Sequence, residues 1–132
     1  NRDGDTLSDL VMQMFGTIAG AESTLLAFDD SGTVKVAMTE APHGTAPALQ
    51  GKNVANPMAM ILAVASLLGY MAGEPSHRAS RTVCESALEA VSDGVRTADL
   101  GGQASTTEFM DEVIRRVRTK IDVWSALADV ER

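Results

Sequence analysis

His43-Gly44-Thr45-Ala46-Pro47-Ala48-Leu49-Gln50-Gly51-Lys52-Asn53-Val54-Ala55-Asn56-Pro57 is the stretch on which the reading of this chain turns. Residues 39–53 hold two prolines and two glycines and no sustained hydrophobic period, so they form a loop of about 39–57 and not a regular element. Its end is a helix start. Asn56 can satisfy free N–H groups of the first turn, and Pro57 fits the first helical position, where its missing N–H costs nothing. Within the loop, small side chains let backbone N–H groups come close to a ligand, Thr45 adds a hydroxyl and His43 a flat ring. The same residues could equally make a tight loop in which Asn and His satisfy only their own backbone. The chemistry leaves both readings open.

Downstream, residues 57–71 are apolar on most faces, which predicts a central, buried helix that stops near Gly73 and Pro75. A third helix is expected over 76–93, with Ala79, Val83, Ala87, Leu88 and Val91 on one side and Gly94 placed to end it. After a short extended or loop segment over 95–103, Ser105-Thr106-Thr107-Glu108 has the spacing of a capping box. The last helix follows, with Phe109, Val113, Val117, Ile121 and Trp124 as its inward stripe.

Upstream, the apolar runs 24–28 and 33–38 flank Asp29-Asp30-Ser31-Gly32, which predicts a β-hairpin. Before it, Leu7, Leu10, Val11, Met14, Phe15 and Ile18 recur at helical spacing, so residues 5–19 read as an amphipathic helix entered from a turn at Gly4.

The 132 residues fit one domain, and 45% hydrophobic with 22% charged residues is the balance of an ordinary globular chain. Eighteen acidic against eleven basic residues, a net charge of -7, argue against nucleic-acid binding through bulk electrostatics. The longest apolar run, from Pro57 to Leu68, is too short to span a bilayer, and no signal segment opens the chain. Cys84 is the only cysteine, and its ordinary reading is a small core residue in a reducing, cytoplasmic setting. The first residue is Asn, not Met, which fits either a processed chain or the ordered part of something longer.

Asp5 and Asp9, four residues apart, put two carboxylates on one helix face, and oxygen ligands of this kind suit Mg²⁺ or Mn²⁺. Aspartate is also favoured in the first turn of any helix, so the pair alone decides nothing. No catalytic Ser-His-Asp or Cys-His arrangement is indicated; the two histidines are His43 and His77, the latter expected on a solvated helix face. No glycine fingerprint or phosphate-cradling lysine loop of the common nucleotide folds is present. Arg115, Arg116, Arg118 and Lys120 read as a solvated basic stretch on the last helix.

Together, the segment from Asn1 to Asp9, His43-Gly44-Thr45-Ala46-Pro47, Asn53-Val54-Ala55-Asn56-Pro57 and Thr97-Ala98-Asp99-Leu100-Gly101-Gly102 resemble successive motifs of the isocitrate/isopropylmalate dehydrogenase family. That family of β-decarboxylating dehydrogenases includes the homoisocitrate and tartrate or D-malate enzymes. The resemblance implies an α/β fold in which residues 1–132 are the C-terminal part of the large domain, its helices packed on a mixed sheet. It implies NAD(P)-dependent oxidation of a (2R)-hydroxy acid, such as isocitrate or 3-isopropylmalate, followed by loss of the β-carboxylate. The residues matching the adenosine-binding loop are His43, Gly44, Thr45, Ala46, Pro47, Ala48 and Leu49, with Asn56 near the adenine. Asp5 and Asp9 match metal-binding aspartates for Mg²⁺ or Mn²⁺.

The departures from the family pattern carry information. Ala48 stands where NAD-using members commonly have Asp, while NADP-using bacterial isocitrate enzymes have a Lys-Tyr pair at the positions of Ala48 and Leu49. Ala98 and Gly102 replace the Tyr and Arg that contact the 2′-phosphate in such NADP forms, which favours NAD. The family's substrate arginines, catalytic Tyr and Lys, and a third metal aspartate from across a dimer have no match here. No catalytic residue is therefore expected in this chain, which alone should not complete the reaction. In the family's order those residues fall before Asn1, and a homodimer or higher oligomer is expected. The other reading is a non-catalytic nucleotide-binding or regulatory chain that keeps the fold. Residues 120–132 are an extension beyond the family's final helix region.

Overall fold

The computed structural model describes Asp3, Gly4, Thr6, Leu7, Leu10, Met14 and residues 22–130. The first six of these are helical, including Gly4, for which the sequence predicts a turn. Asp5, Asp9 and the remainder of the helix expected over 5–19 lie outside the described residues.

The hairpin forms from β1 (Ser23–Phe28) and β2 (Val34–Glu40), which pair antiparallel from Ser23 opposite Glu40 to Phe28 opposite Val34. The register slips between Ala27 and Phe28, leaving Lys35 as the extra residue of a bulge. Asp29 organises the turn: its carboxylate accepts the N–H groups of Ser31 at 2.9 Å and Thr33 at 3.0 Å, and Gly32 takes a φ of 81°. Among the described residues this hairpin is the whole of the sheet in the expected α/β architecture.

Three α-helices follow the hairpin among the described residues: α1 (Met58–Gly69), α2 (Glu74–Ser92) and α3 (Thr106–Val130). The hairpin lies on α1, where the Thr39 hydroxyl donates to the Ala63 carbonyl at 2.8 Å. From the other sides Met58 and Leu62 of α1, Ala87 and Ala90 of α2, and Phe109 and Val113 of α3 close one core. Phe109 is completely buried and is its largest side chain.

Several expectations need correction. Pro75 does not mark a gap before α2; it sits in the helix's first turn, where a proline is tolerated, so the helix starts two residues earlier than the sequence indicates. On α2 the buried face is Thr82, Ser86, Ala87 and Ala90, and Leu88 is 51% exposed. Small side chains win these positions because they let α2 pack close to its neighbours, which hydrophobicity alone does not reveal. Helix α1 is buried through Met58, Ala59, Leu62, Ala63 and Ala65, but Met60, Val64 and Leu67 are exposed. Its all-round apolar surface is thus only half used among the described residues.

The stripe on α3 is inward at Phe109 and Val113 and partly so at Val117; Ile121 and Trp124 are 47% and 41% exposed, because the helix outruns the core. The extension 120–132 continues α3 through Val130, and the Arg78 guanidinium lies 5.1 Å from the Trp124 ring centre.

The helix ends follow their sequence signals. The Gly94 N–H donates to Val91 and the Val95 N–H to Ala90, and with Gly94 at φ 93° this is the paired-bond stop that glycine permits. At the start of α3 the Ser105 N–H donates to the Glu108 carboxylate at 2.8 Å, and the Glu108 N–H donates to the Ser105 hydroxyl at 3.2 Å. The Ser105 N–H and then the Ser105 hydroxyl, both donating to the carboxylate, hold the Glu108 carboxyl below its ordinary range. Ion pairs fix α3 against α2: Arg116 meets Asp93 at 2.8 Å, and Lys120 meets Glu89 at 2.8 Å.

Candidate functional site

The loop between β2 and α1 is pinned at three places, and the pins create a cavity. Pro47–Leu49 forms one turn of 3-10 helix, entered by Ala46 at φ 42° and ψ 64°. A non-glycine residue in this left-handed region costs on the order of 1 kcal/mol or more, so surrounding contacts must hold it there. The Leu49 N–H donates to the Ala46 carbonyl at 2.8 Å, and the His43 ring Nδ1 sits 3.0 Å from the Gly44 carbonyl.

Two asparagines at the loop's end then do different work. Asn53, also left-handed at φ 55°, accepts the Thr107 N–H at 3.1 Å and the Thr107 hydroxyl at 2.9 Å through its amide oxygen. Its own carbonyl accepts the Thr106 N–H at 2.9 Å. Asn53 therefore satisfies the open end of α3, beyond what the capping box there provides. Asn56 serves α1: its amide oxygen accepts the Met58 N–H at 2.9 Å, as its place before Pro57 predicts.

Opposite the loop stands the single 3-10 turn Ala98–Leu100. Thr97, completely buried, accepts the N–H groups of Leu100 and Gly102 at 3.0 Å through its carbonyl, and its hydroxyl donates to the Asp99 carboxylate at 2.6 Å. Gly102 is required here, because a Cβ would collide with the Arg96 carbonyl.

Between loop and turn lies an open cavity of about 1000 Å³, at the upper end of small-ligand sites. Of the eight loop positions that the sequence points to, His43, Gly44, Thr45, Ala46, Pro47, Leu49 and Asn56 line it, and Ala48 does not. Ala98, which the sequence singles out as a departure from the family pattern, also lines it, as do Gln50, Val54, Ala55 and Asp99, which no sequence signal assigns to the site. Asp99 could have been found from the turn it shares with Gly101 and Gly102 in the quoted motif. Its closeness to Asn56, 43 residues earlier, could not. The lining contains one acid and no lysine or arginine. Small side chains, backbone polar groups, a flat ring and a carboxylate together can hold a flat, hydroxyl-rich ligand and offer a phosphate no cation.

Among the described residues nothing comparable forms elsewhere for catalysis or metal binding. Asp5 and Asp9 lie outside the described residues, and among the described residues no three His, Cys, Asp or Glu side chains gather as metal ligands. His77 is on α2 with its Nε2 3.1 Å from the Met71 carbonyl. Burial, with Glu22 and Glu85 nearby, pushes the Cys84 thiol up, away from the reactive thiolate. Among the described residues no helix is long and apolar enough to cross a membrane.

The family profile described as isocitrate/isopropylmalate dehydrogenase matches residues 1–113, which include the loop, both asparagines and the turn at Asp99. The chain belongs to the isocitrate/isopropylmalate dehydrogenase family. Similar relatives include 3-isopropylmalate dehydrogenase B of Aspergillus niger, 39% identical over 91% of this chain and 33% of the relative. A mitochondrial regulatory subunit of an NAD isocitrate dehydrogenase, from Dictyostelium discoideum, is 34% identical over 92% of this chain and 32% of its own length. Among solved structures, isocitrate dehydrogenase from Methylococcus capsulatus superposes with a TM-score of 0.67 at 33% identity, over 87% of this chain and 32% of that one. The α/β fold is thus that of the family's C-terminal portion, and the chain spans about a third of the length of the relatives it matches.

Proposed function

We propose that this chain supplies the adenosine-binding loop and two metal carboxylates of an NAD-dependent β-decarboxylating dehydrogenase acting on a (2R)-hydroxy acid such as isocitrate or 3-isopropylmalate. The observation that carries the reading is the gathering of seven loop residues, from His43 to Asn56, around one cavity in a chain of this family. His43 offers a ring face to the adenine, backbone groups between Gly44 and Leu49 line its path, and Asn56 stands at the edge. Asp99 without a neighbouring cation favours NAD over NADP, because a 2′-phosphate would be desolvated beside a carboxylate. The Dictyostelium relative is itself named for NAD.

Asp5 and Asp9 carry hard oxygen donors of the type that Mg²⁺ or Mn²⁺ takes, and two carboxylates leave room for further ligands from substrate and partner. When bound, such a cation supplies charge that stabilises the negative oxygen developing at C2 during oxidation and CO₂ loss. The substrate contacts and proton-transfer groups come from outside this chain. The exposed apolar side chains of Met60, Val64, Met110 and Ile114 on α1 and α3 support assembly into a homodimer or higher oligomer. A cytoplasmic, reducing setting suits the free Cys84.

The test is an assay of the intact protein with isocitrate, 3-isopropylmalate, D-malate or tartrate, Mg²⁺ or Mn²⁺, and NAD or NADP. Metal-dependent NAD reduction with CO₂ release is expected for one of these acids. Nucleotide binding without turnover under all conditions favours the second reading, a non-catalytic regulatory chain, for which the name of the Dictyostelium relative is the supporting observation.

A further inference from the structure

Asn56 donates through its amide nitrogen to Asp99 at 2.9 Å, while its amide oxygen accepts the Met58 N–H at the same distance. A primary amide at a cavity wall ordinarily turns about its last torsion and exchanges partners with water. Here a donor and an acceptor on opposite ends of the group fix its plane and also which end is oxygen. Asp99 can hold its side because it is held in turn. The Thr97 hydroxyl donates to its other oxygen at 2.6 Å, and Thr97 is completely buried, its carbonyl engaged by Leu100 and Gly102. The order runs from the core, through Thr97 and Asp99, to the amide at the cavity wall.

We propose that Asp99 is a positioning residue of the nucleotide pocket, acting through Asn56 by fixing the orientation of its amide before ligand arrives. The proposal rests on the reading of this cavity as a nucleotide site. Asp99 bridges the loop and the turn at 98–100, the two walls of the cavity, which have no other side-chain hydrogen bond between them among the described residues. Ordering a side chain in advance removes a cost otherwise met on binding.

The experiment compares the chain with Asp99→Ala and Asp99→Asn by titration calorimetry with NAD and AMP, and follows the Asn56 side-chain amide by NMR without ligand. Asparagine at 99 can still accept from Asn56 and meet Thr97, so Asp99→Asn should stay within about threefold of the parent affinity. Asp99→Ala should bind about tenfold more weakly, the scale of one hydrogen bond, and the Asn56 side-chain amide signals should shift upfield and exchange faster with water. Asp99→Ala also leaves the buried Thr97 hydroxyl without its acceptor, so its melting temperature should fall by a few degrees, while Asp99→Asn, which keeps a partner for Thr97, should stay near the parent. Unchanged affinity in Asp99→Ala, with the Asn56 signals intact, overturns the proposal while leaving the nucleotide reading in place. A loss in Asp99→Asn equal to that in Asp99→Ala overturns it in favour of a charge contact with the ligand. Failure of the parent chain to bind either nucleotide overturns the reading beneath it.

Discussion

Asn53 caps a helix that begins more than fifty residues after it: its amide oxygen accepts both the N–H and the hydroxyl of Thr107, at 3.1 Å and 2.9 Å. The contact ties the ligand loop to α3, so the loop's shape and the fold's stability are linked. Asn53→Ala removes both bonds and leaves a Cβ residue without local support at φ 55°. A loss of about 1–2 kcal/mol is expected by urea unfolding. Asn53→Gly, which accepts the backbone angle but not the donors, should fall between the two. Equal stability of all three proteins would show that the contact does not contribute.

Ala46 offers the reverse experiment. Its left-handed backbone suits glycine better, so Ala46→Gly should raise stability by roughly 0.5–1 kcal/mol. The freed backbone should at the same time weaken nucleotide binding by a few fold, because a looser loop must be ordered on binding. Thermal unfolding and calorimetry on the same sample read both effects, and a variant that melts lower than the parent contradicts the strain argument.

Gly102 is fixed by space and not by torsion alone. Gly102→Ala sets a Cβ against the Arg96 carbonyl, which already accepts the Ala104 N–H at 2.8 Å. The turn carrying Thr97 and Asp99 must shift, at a cost of more than about 2 kcal/mol. Amide shifts at 96–104 together with the unfolding midpoint check this. Gly101→Ala, with open space but a φ of 75°, should cost only about 1 kcal/mol.

Among the described residues acid sensitivity has its largest source at Glu112, beside lesser ones at Asp29 and Glu108. Hydrogen bonds from Arg115 and then Arg116 hold the Glu112 carboxyl down to about 2. Arg115 engages both oxygens, at 2.8 Å and 2.6 Å, and Arg116 one at 2.6 Å. A depressed carboxyl stabilises the fold fully above its unfolded value near 4.5, and that contribution is lost as pH falls toward 2. Solvent around Arg115, 62% exposed, screens the pair, so Glu112→Gln should cost about 1 kcal/mol at neutral pH. The variant's stability should also change less than the parent's between pH 5 and pH 2, measured by urea midpoints; parallel curves would remove Glu112 as the source.

Much of the fold is legible in the sequence because it is local. The hairpin turn at Asp29, the stop at Gly94, the capping box from Ser105 to Glu108 and the start at Asn56 each need only neighbours along the chain. The features that depart from expectation depend on distant partners. Leu88 faces outward because Ser86 and Ala90 sit at the close helix contact. The loop residues from His43 to Asn56 are readable as a group through their family pattern. Asp99 and Asn53 acquire their roles only when the turn at 98–100 and the start of α3 are brought against the loop.

The proposed function puts the adenosine end of NAD in the cavity between the loop and the Asp99 turn. Titration of the isotope-labelled chain with NAD and NADP, followed by amide NMR, tests it most directly. Saturable shifts confined to residues 43–56 and 97–99, at lower concentration for NAD than for NADP, are the result expected. Saturable shifts at the apolar faces of α1 and α3 instead, or none with either dinucleotide, would contradict it.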